Sequence, residues 1–227
     1  MSSGSARPTE PARDRLHIGV QLGTSNVTWA ALREAAVRVE ELGFDSLWVP
    51  DHLLAWGGRA PRFEAWQVLG ALAALTERIR LGPLVTPVTF RHPGLLAKMA
   101  ATLDHISHGR VILGLGAGGM ADEHRRYGLS FGRASERAGR LEESVQVIRS
   151  LLEAPQTTFR GRHYTLRSAI AEPKPAQRPL PLLIAGKGRT AIRLAARHAA
   201  LWNAICLPTQ LAHHVAALRS ELSATGR

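Results

Sequence analysis

Residues 76–119 read TERIRLGPLVTPVTFRHPGLLAKMAATLDHISHGRVILGLGAGG. The apolar run Ile79 to Val85 predicts a strand, Gly94 to Leu103 repeats apolar residues at three- and four-residue spacing and predicts a helix, and Arg110 to Leu115 predicts a second strand. Strands that are apolar on both faces and separated by an amphipathic helix belong to a parallel sheet covered by helices.

The same alternation extends in both directions. Upstream, Leu16 to Leu22 predicts a strand, Trp29 to Leu42 a helix that ends before Gly43, Phe44 to Val49 a strand and Phe63 to Leu75 a helix. Downstream, a helical region runs to Leu152, and TTFRGRHYTL (157–166) with the proline-rich EPKPAQRPLP (172–181) forms an insertion containing two very short strands. Alternation resumes with a strand at Pro181 to Ala185, a helix at Arg189 to Ala199, a strand at Leu201 to Leu207 and a helix at Gln210 to Ser223, giving six β/α units. The expected organisation is a disordered tail over residues 1–15 and one β/α domain over 16–227.

Pattern alone leaves a closed barrel and an open doubly wound sheet both standing. The strand ends decide between them. Gln21 and Gly23, Asp51 and His52, Thr86, the glycines from Gly116 to Gly119, Gly186-Lys187-Gly188, and Asn203 each lie in or just after a different predicted strand. A barrel collects its site from many such ends, whereas an open sheet concentrates it at one switch point.

The chain has 227 residues, 45% hydrophobic, and no apolar run long enough for a membrane span or a signal segment. Cys206 is the only cysteine, which excludes an intrachain disulfide and fits a reducing cytoplasm. A net charge of +11 attracts polyanions, but the arginines alternate with acidic neighbours, as in Arg33-Glu34 and Glu77-Arg78. With no basic run and no comb of aromatic residues, this charge points away from nucleic acid and membrane and toward a solvated surface or a phosphorylated small molecule.

Gly114, Gly116 and Gly119 spell a dinucleotide-binding G-x-G-x-x-G, but late in the chain and before the polar MADEHRRYG rather than a long helix. Gly116, Ala117 and Gly118 otherwise bring backbone N–H groups close to a ring carbonyl or phosphate, or simply make a tight turn. IAGKGRT adds Lys187 to a helix N-terminus, a combination that suits a phosphate, although a basic loop facing water has the same composition. Asp51 and His52, with Trp56 close behind, bring a carboxylate and an imidazole to the rim; the alternative is a turn cap and a packing residue. The pairs His105/His108 and His213/His214 lack the further ligands a metal site requires, and no G-x-S-x-G nucleophile elbow is present.

VEELGFDSLWVPDHLLAW (39–56), the stretch 76–119, FRGRHYTL (159–166) and PLLIAGKG (181–188) together resemble the bacterial luciferase-like monooxygenase superfamily, in particular its oxidoreductases dependent on the deazaflavin coenzyme F420. The resemblance covers Leu16 to the C-terminus. It implies a TIM-like (β/α)8 barrel with about six of the eight units present.

It also implies hydride transfer between a reduced deazaflavin, or alternatively FMN, and a small organic substrate. An FMN-dependent monooxygenase using O2 and a shortened, inactive barrel are the other readings. By position the resemblance implies that Asp51 and His52 lie beside the ring, with His52 as proton donor and Asp51 orienting it or the cofactor. Thr86 and the backbone of Gly116, Ala117 and Gly118 would lie along the ring, Gly186, Lys187 and Gly188 near the phosphate, and Trp56 on the substrate side. A homodimer is a further family-level expectation. The sugar-phosphate dehydrogenase branch has an acidic glutamate directly after the glycine run; Gly119 stands there in this chain, which argues against that activity.

Overall fold

In a computed structural model, residues 16–226 are described. The tail expected over 1–15 lies outside them. In chain order the elements are β1 (Gly19–Gln21), α1 (Trp29–Glu41), β2 (Ser46–Val49), α2 (Ala65–Leu75), β3 (Arg80–Pro83), β4 (Thr86–Pro87), α3 (Pro93–Ile106), β5 (Leu113–Gly116), α4 (Ala121–Arg126), α5 (Ala134–Glu153), β6 (Thr157–Arg160), β7 (Thr165–Ala169), β8 (Leu182–Ala185), α6 (Arg189–His198), β9 (Leu201–Asn203) and α7 (Pro208–Ala224).

Seven of the strands run parallel, and six of them, all but the two-residue β4, open β/α units. β1, β2 and β3 pair in that order, β5, β8 and β9 continue the sequence, and a parallel bridge between Leu81 and Val111 joins the two groups. This is the expected succession of six β/α units of a barrel. The expected helical region reaching Leu152 is two helices, because Gly128 and Gly132 take positive φ values (66° and 70°) that an α-helix does not contain. The insertion is an antiparallel hairpin, β6 with β7, packed back onto the body through the Tyr164 ring, which meets His92 edge-on.

The central strands are short and buried on both faces: Leu47, Val49, Leu81, Leu113, Leu115, Leu182 and Ile184 are all within 1% of complete burial. Helices α1, α2, α3, α5 and α6 lay their apolar sides against them in one continuous core that includes Leu32, Leu69, Leu72, Leu96, Ile148 and Leu194. The outer strands differ. Among the described residues β1 pairs only with β2, and β9 only with β8, and neither contains a buried residue. No residue of α7 is buried.

Two devices fix the register at the N-terminal ends of the strands. The Arg110 guanidinium is buried and donates to the carbonyls of Ala73, Thr76 and Ile79, closing the C-terminal end of α2, whose last turn has no basic residue. Glu40, near the end of α1, accepts from the backbone N–H groups of Glu77, Arg78 and Ile79 at 3.0, 2.7 and 2.8 Å, which positions the entry to β3. Burial pushes the Glu40 carboxyl up, but the three backbone donors outweigh it and hold the group below the usual carboxylate value.

β3 and β5 approach so closely that only glycine fits between them. A Cβ on Gly82 would stand 1.9 Å from the carbonyl oxygen of Ile112, and one on Gly114 would stand 2.1 Å from that of Pro83. Gly114 therefore serves strand packing rather than a nucleotide.

Gly82→Ala is expected to lower stability by about 1–3 kcal/mol, read as a shift in the urea midpoint without a change in slope. Glu40→Gln tests the tether through pH. Because the folded carboxyl titrates below its unfolded value, its contribution is present above the unfolded pKa and fades as pH falls through the folded one. The gap in urea midpoint between wild type and Glu40→Gln should therefore be widest at neutral pH and close in acid; a gap that stays constant would remove the tether from the account.

Candidate functional site at the C-terminal ends of the strands

A cavity of about 520 Å³ opens at the C-terminal ends of the parallel strands. Each of the six contributes to its lining: Gln21 from β1, Pro50 and His52 after β2, Leu84 and Val85 after β3, Gly116 to Gly119 from β5, Ala185 to Lys187 from β8, and Asn203 with Ile205 from β9. The volume suits a small organic ligand. A larger cleft of about 800 Å³ between α5 and the hairpin gathers no comparable set of strand ends, and its Glu143 is already occupied by the backbone N–H groups of residues 162–164.

The glycine run forms one wall. Gly116 has no room for a Cβ, which would meet the Val85 side chain at 2.7 Å. Gly118 has φ +84°, and a Cβ there would meet Thr89 Oγ1 at 2.8 Å. Its carbonyl is held at 3.3 Å by Nε of Arg137, whose guanidinium also lies 3.8 Å from the Phe131 ring centroid. Behind the run, the buried His124 bridges Met120 O and Thr89 Oγ1.

A second glycine segment lines the cavity at the end of β8, the strand paired with β5. Gly186 has φ +138°, and its N–H donates to Asn203 O while its carbonyl accepts from Trp202 Nε1. Lys187 is exposed beside it, and α6 starts at Gly188 with no side-chain cap, leaving its first N–H groups for an anion.

His52 lines the same cavity from the end of β2, its side chain 33% exposed. Its Nδ1 faces Glu123 Oε2 at 2.9 Å, while Glu123 Oε1 accepts from the N–H groups of Leu53 and Leu54, both at 2.8 Å.

Asp51 and Thr86 are brought together but do not line the cavity. Both are buried at 1% exposure or less, in a chain of hydrogen bonds behind the wall. Trp66 Nε1 donates to Thr86 Oγ1 (3.0 Å), the Thr86 hydroxyl donates to Asp51 Oδ2 (2.9 Å), and Arg91 donates to both Asp51 oxygens (2.6 and 3.3 Å) and also to Glu64. Burial raises the Asp51 carboxyl above its ordinary value, and Arg91 and Thr86 offset only part of the rise. Asp51 and Thr86, expected beside the ring, are thus not among the residues that line the cavity.

Trp56 is 86% exposed and outside the lining, and Gly188 also lies outside it, at the N-terminus of α6. Of the expected residues, the cavity therefore unites His52, Gly116, Ala117, Gly118, Gly186 and Lys187. Sequence reading passes over Glu123, within a stretch legible only as polar, and over Arg91. His105 Nε2 donates to the Lys174 carbonyl, and His213 and His214 stack edge-on with each other on α7.

Among the described residues no helix is long and apolar enough to cross a membrane. The sequence model of the luciferase-like monooxygenases matches residues 14–227. The F420-dependent glucose-6-phosphate dehydrogenase of Amycolatopsis mediterranei (strain U-32) is 38% identical over 186 residues, covering 80% of this chain and 55% of that protein. The chain spans about half the length of the curated relatives it matches. A solved F420-dependent secondary alcohol dehydrogenase in complex with an F420–acetone adduct superposes with a TM-score of 0.85 at 27% identity, over 93% of this chain and 65% of that one. The monooxygenase RslO1 from Streptomyces bottropensis follows with a TM-score of 0.78 at 27% identity, over 93% and 67%. The succession of six parallel β/α units, the cavity at their C-terminal ends and the match over nearly the whole sequence lead to one assignment: the chain belongs to the luciferase-like monooxygenase family.

Proposed function

We propose that this chain binds coenzyme F420 in the cavity at the strand ends and serves a hydride-transfer oxidoreductase acting on a small organic substrate. The observation that carries the reading is the lining itself: glycine segments at the ends of the neighbouring strands β5 and β8 share one cavity with the His52 imidazole. Gly116, Ala117 and Gly118 offer backbone to a flat ring, and the Gly118 carbonyl is fixed by Arg137. Lys187 and the uncapped N-terminus of α6 accept the phosphate. Gly188 contributes backbone there. When bound, the deazaflavin supplies hydride chemistry that amino-acid side chains lack.

His52 is the proton-transfer residue of the proposal, since it is the only imidazole on the cavity wall. Asp51 and Thr86 hold the loop that carries it. Trp56, exposed and four residues after His52, would serve the substrate side in this reading. The absence of an acid at Gly119, where a Cβ would meet open space, argues against the sugar-phosphate substrate in the names of the curated relatives. An FMN-dependent monooxygenase is the second reading, favoured by the likeness to a solved monooxygenase at the same identity as to the alcohol dehydrogenase. The single cysteine accords with a cytoplasmic setting.

Fluorescence titration of the full chain with F420 and with FMN separates the readings. Tight binding of F420 that Gly118→Glu abolishes is expected, because the glutamate meets both a positive φ and Thr89. Preference for FMN would transfer the assignment to the second reading, and binding of neither by a folded chain would end both. His52→Ala should keep cofactor affinity and lose turnover by roughly 10²–10⁴-fold. Arg91→Ala should destabilise the fold by about 3–5 kcal/mol, measured by urea denaturation, because it leaves the Asp51 carboxylate buried without its cation.

A further inference from the structure

We propose that Glu123 is a positioning residue that fixes His52 as the Nδ1–H tautomer and so leaves Nε2 as the ring nitrogen presented to the cavity. The inference deepens the proton-transfer role given to His52 and rests on it for its catalytic consequence, but not for its structural content.

The Glu123 side chain is 2% exposed, so it has been taken out of water for the contacts it makes. Every polar contact found for it goes to the loop that follows β2. Oε1 accepts from Leu53 N and Leu54 N at 2.8 Å each, and Oε2 lies 2.9 Å from His52 Nδ1. A carboxylate accepts and has no hydrogen to give, so the shared hydrogen belongs to Nδ1. Nε2 then carries the lone pair on the side where the ring lines the cavity.

The carboxylate reaches this position because the glycine run leads directly into α4. Gly116 to Gly119 form the wall, and four residues later Glu123 points back across to His52. Arg62 sits close enough to contribute attraction to both Glu123 and Asp51, with Nε bound to Ser25 Oγ at 2.8 Å. The segment that would seat the cofactor is therefore the segment that orients the proton-transfer group, and neither can shift without the other.

Glu123→Gln is nearly isosteric and makes a specific statement testable. Its amide oxygen keeps the two backbone donors, which turns the NH2 group toward Nδ1. Nδ1 must then accept, and the hydrogen moves to Nε2. Long-range ¹H–¹⁵N correlation spectra of the cofactor-free full chain, at a pH where the ring is neutral, read this directly, with the His52 signals assigned by their loss in His52→Gln.

The expected result is Nδ1–H in the wild type and Nε2–H in Glu123→Gln. An Nε2–H wild type overturns the proposal whatever the variant does, as does an unchanged tautomer in a folded Glu123→Gln protein. In turnover, Glu123→Gln should lose roughly 10- to 100-fold in kcat with cofactor Kd unchanged, the signature of misdirection of a group rather than lost binding. Full activity in His52→Ala would refute the function proposed for His52 while leaving the tautomer assignment standing.

Discussion

The mouth of this barrel is organised around a carboxylate that water does not reach. Asp51 sits at the end of β2 with 1% exposure, and an ionised group in that position is tolerable only if its partners are placed closely. Arg91 and Thr86 meet that demand, and each is itself committed elsewhere: Arg91 to Glu64 at the start of α2, Thr86 to the Trp66 indole. One buried charge thus locks together the end of β2, the strand β4 and the first turn of α2. His52, the next residue, inherits a fixed backbone from it.

The glycines answer a second constraint, that of distance. Gly82 and Gly114 let β3 and β5 approach where a methyl group would strike a carbonyl, and Gly116 and Gly118 continue the same stripped surface up to the cavity. Packing inside the sheet and access at its rim are therefore consecutive uses of one pattern. This is why the run has the spacing of a nucleotide fingerprint without its structure: the first glycine faces another strand, and the helix that follows, α4, has only six residues.

Much of this was legible in the sequence because it is local. Short apolar runs alternating with amphipathic ones announce a parallel sheet, and residues just beyond each run announce the rim; both signals depend on neighbours in the chain. What escaped reading depends on distant partners. Glu123 acquires its meaning from residues 69 to 71 positions away, and Arg91 from one 40 positions away. Asp51 and Thr86 lie in the region to which the sequence points but do not line the cavity, because a strand end shows which residues are near the mouth and not which of them face it. The break between α4 and α5 lay in two glycines whose positive φ has no distinct signature inside a polar stretch.

The outer strands bear on how the molecule behaves in company. β1 and β9 each use one side for pairing, and among the described residues their other sides carry backbone groups without a strand partner. Ile18, Ile205 and Leu207 are exposed nearby. Such edges favour adhesion between molecules, while a net charge of +11 opposes it. Because that repulsion is screened over about 10 Å at 0.1 M salt, contact between such margins is expected to depend on ionic strength. Colloidal stability here is thus an electrostatic property imposed on a sheet whose hydrogen bonding alone would promote association.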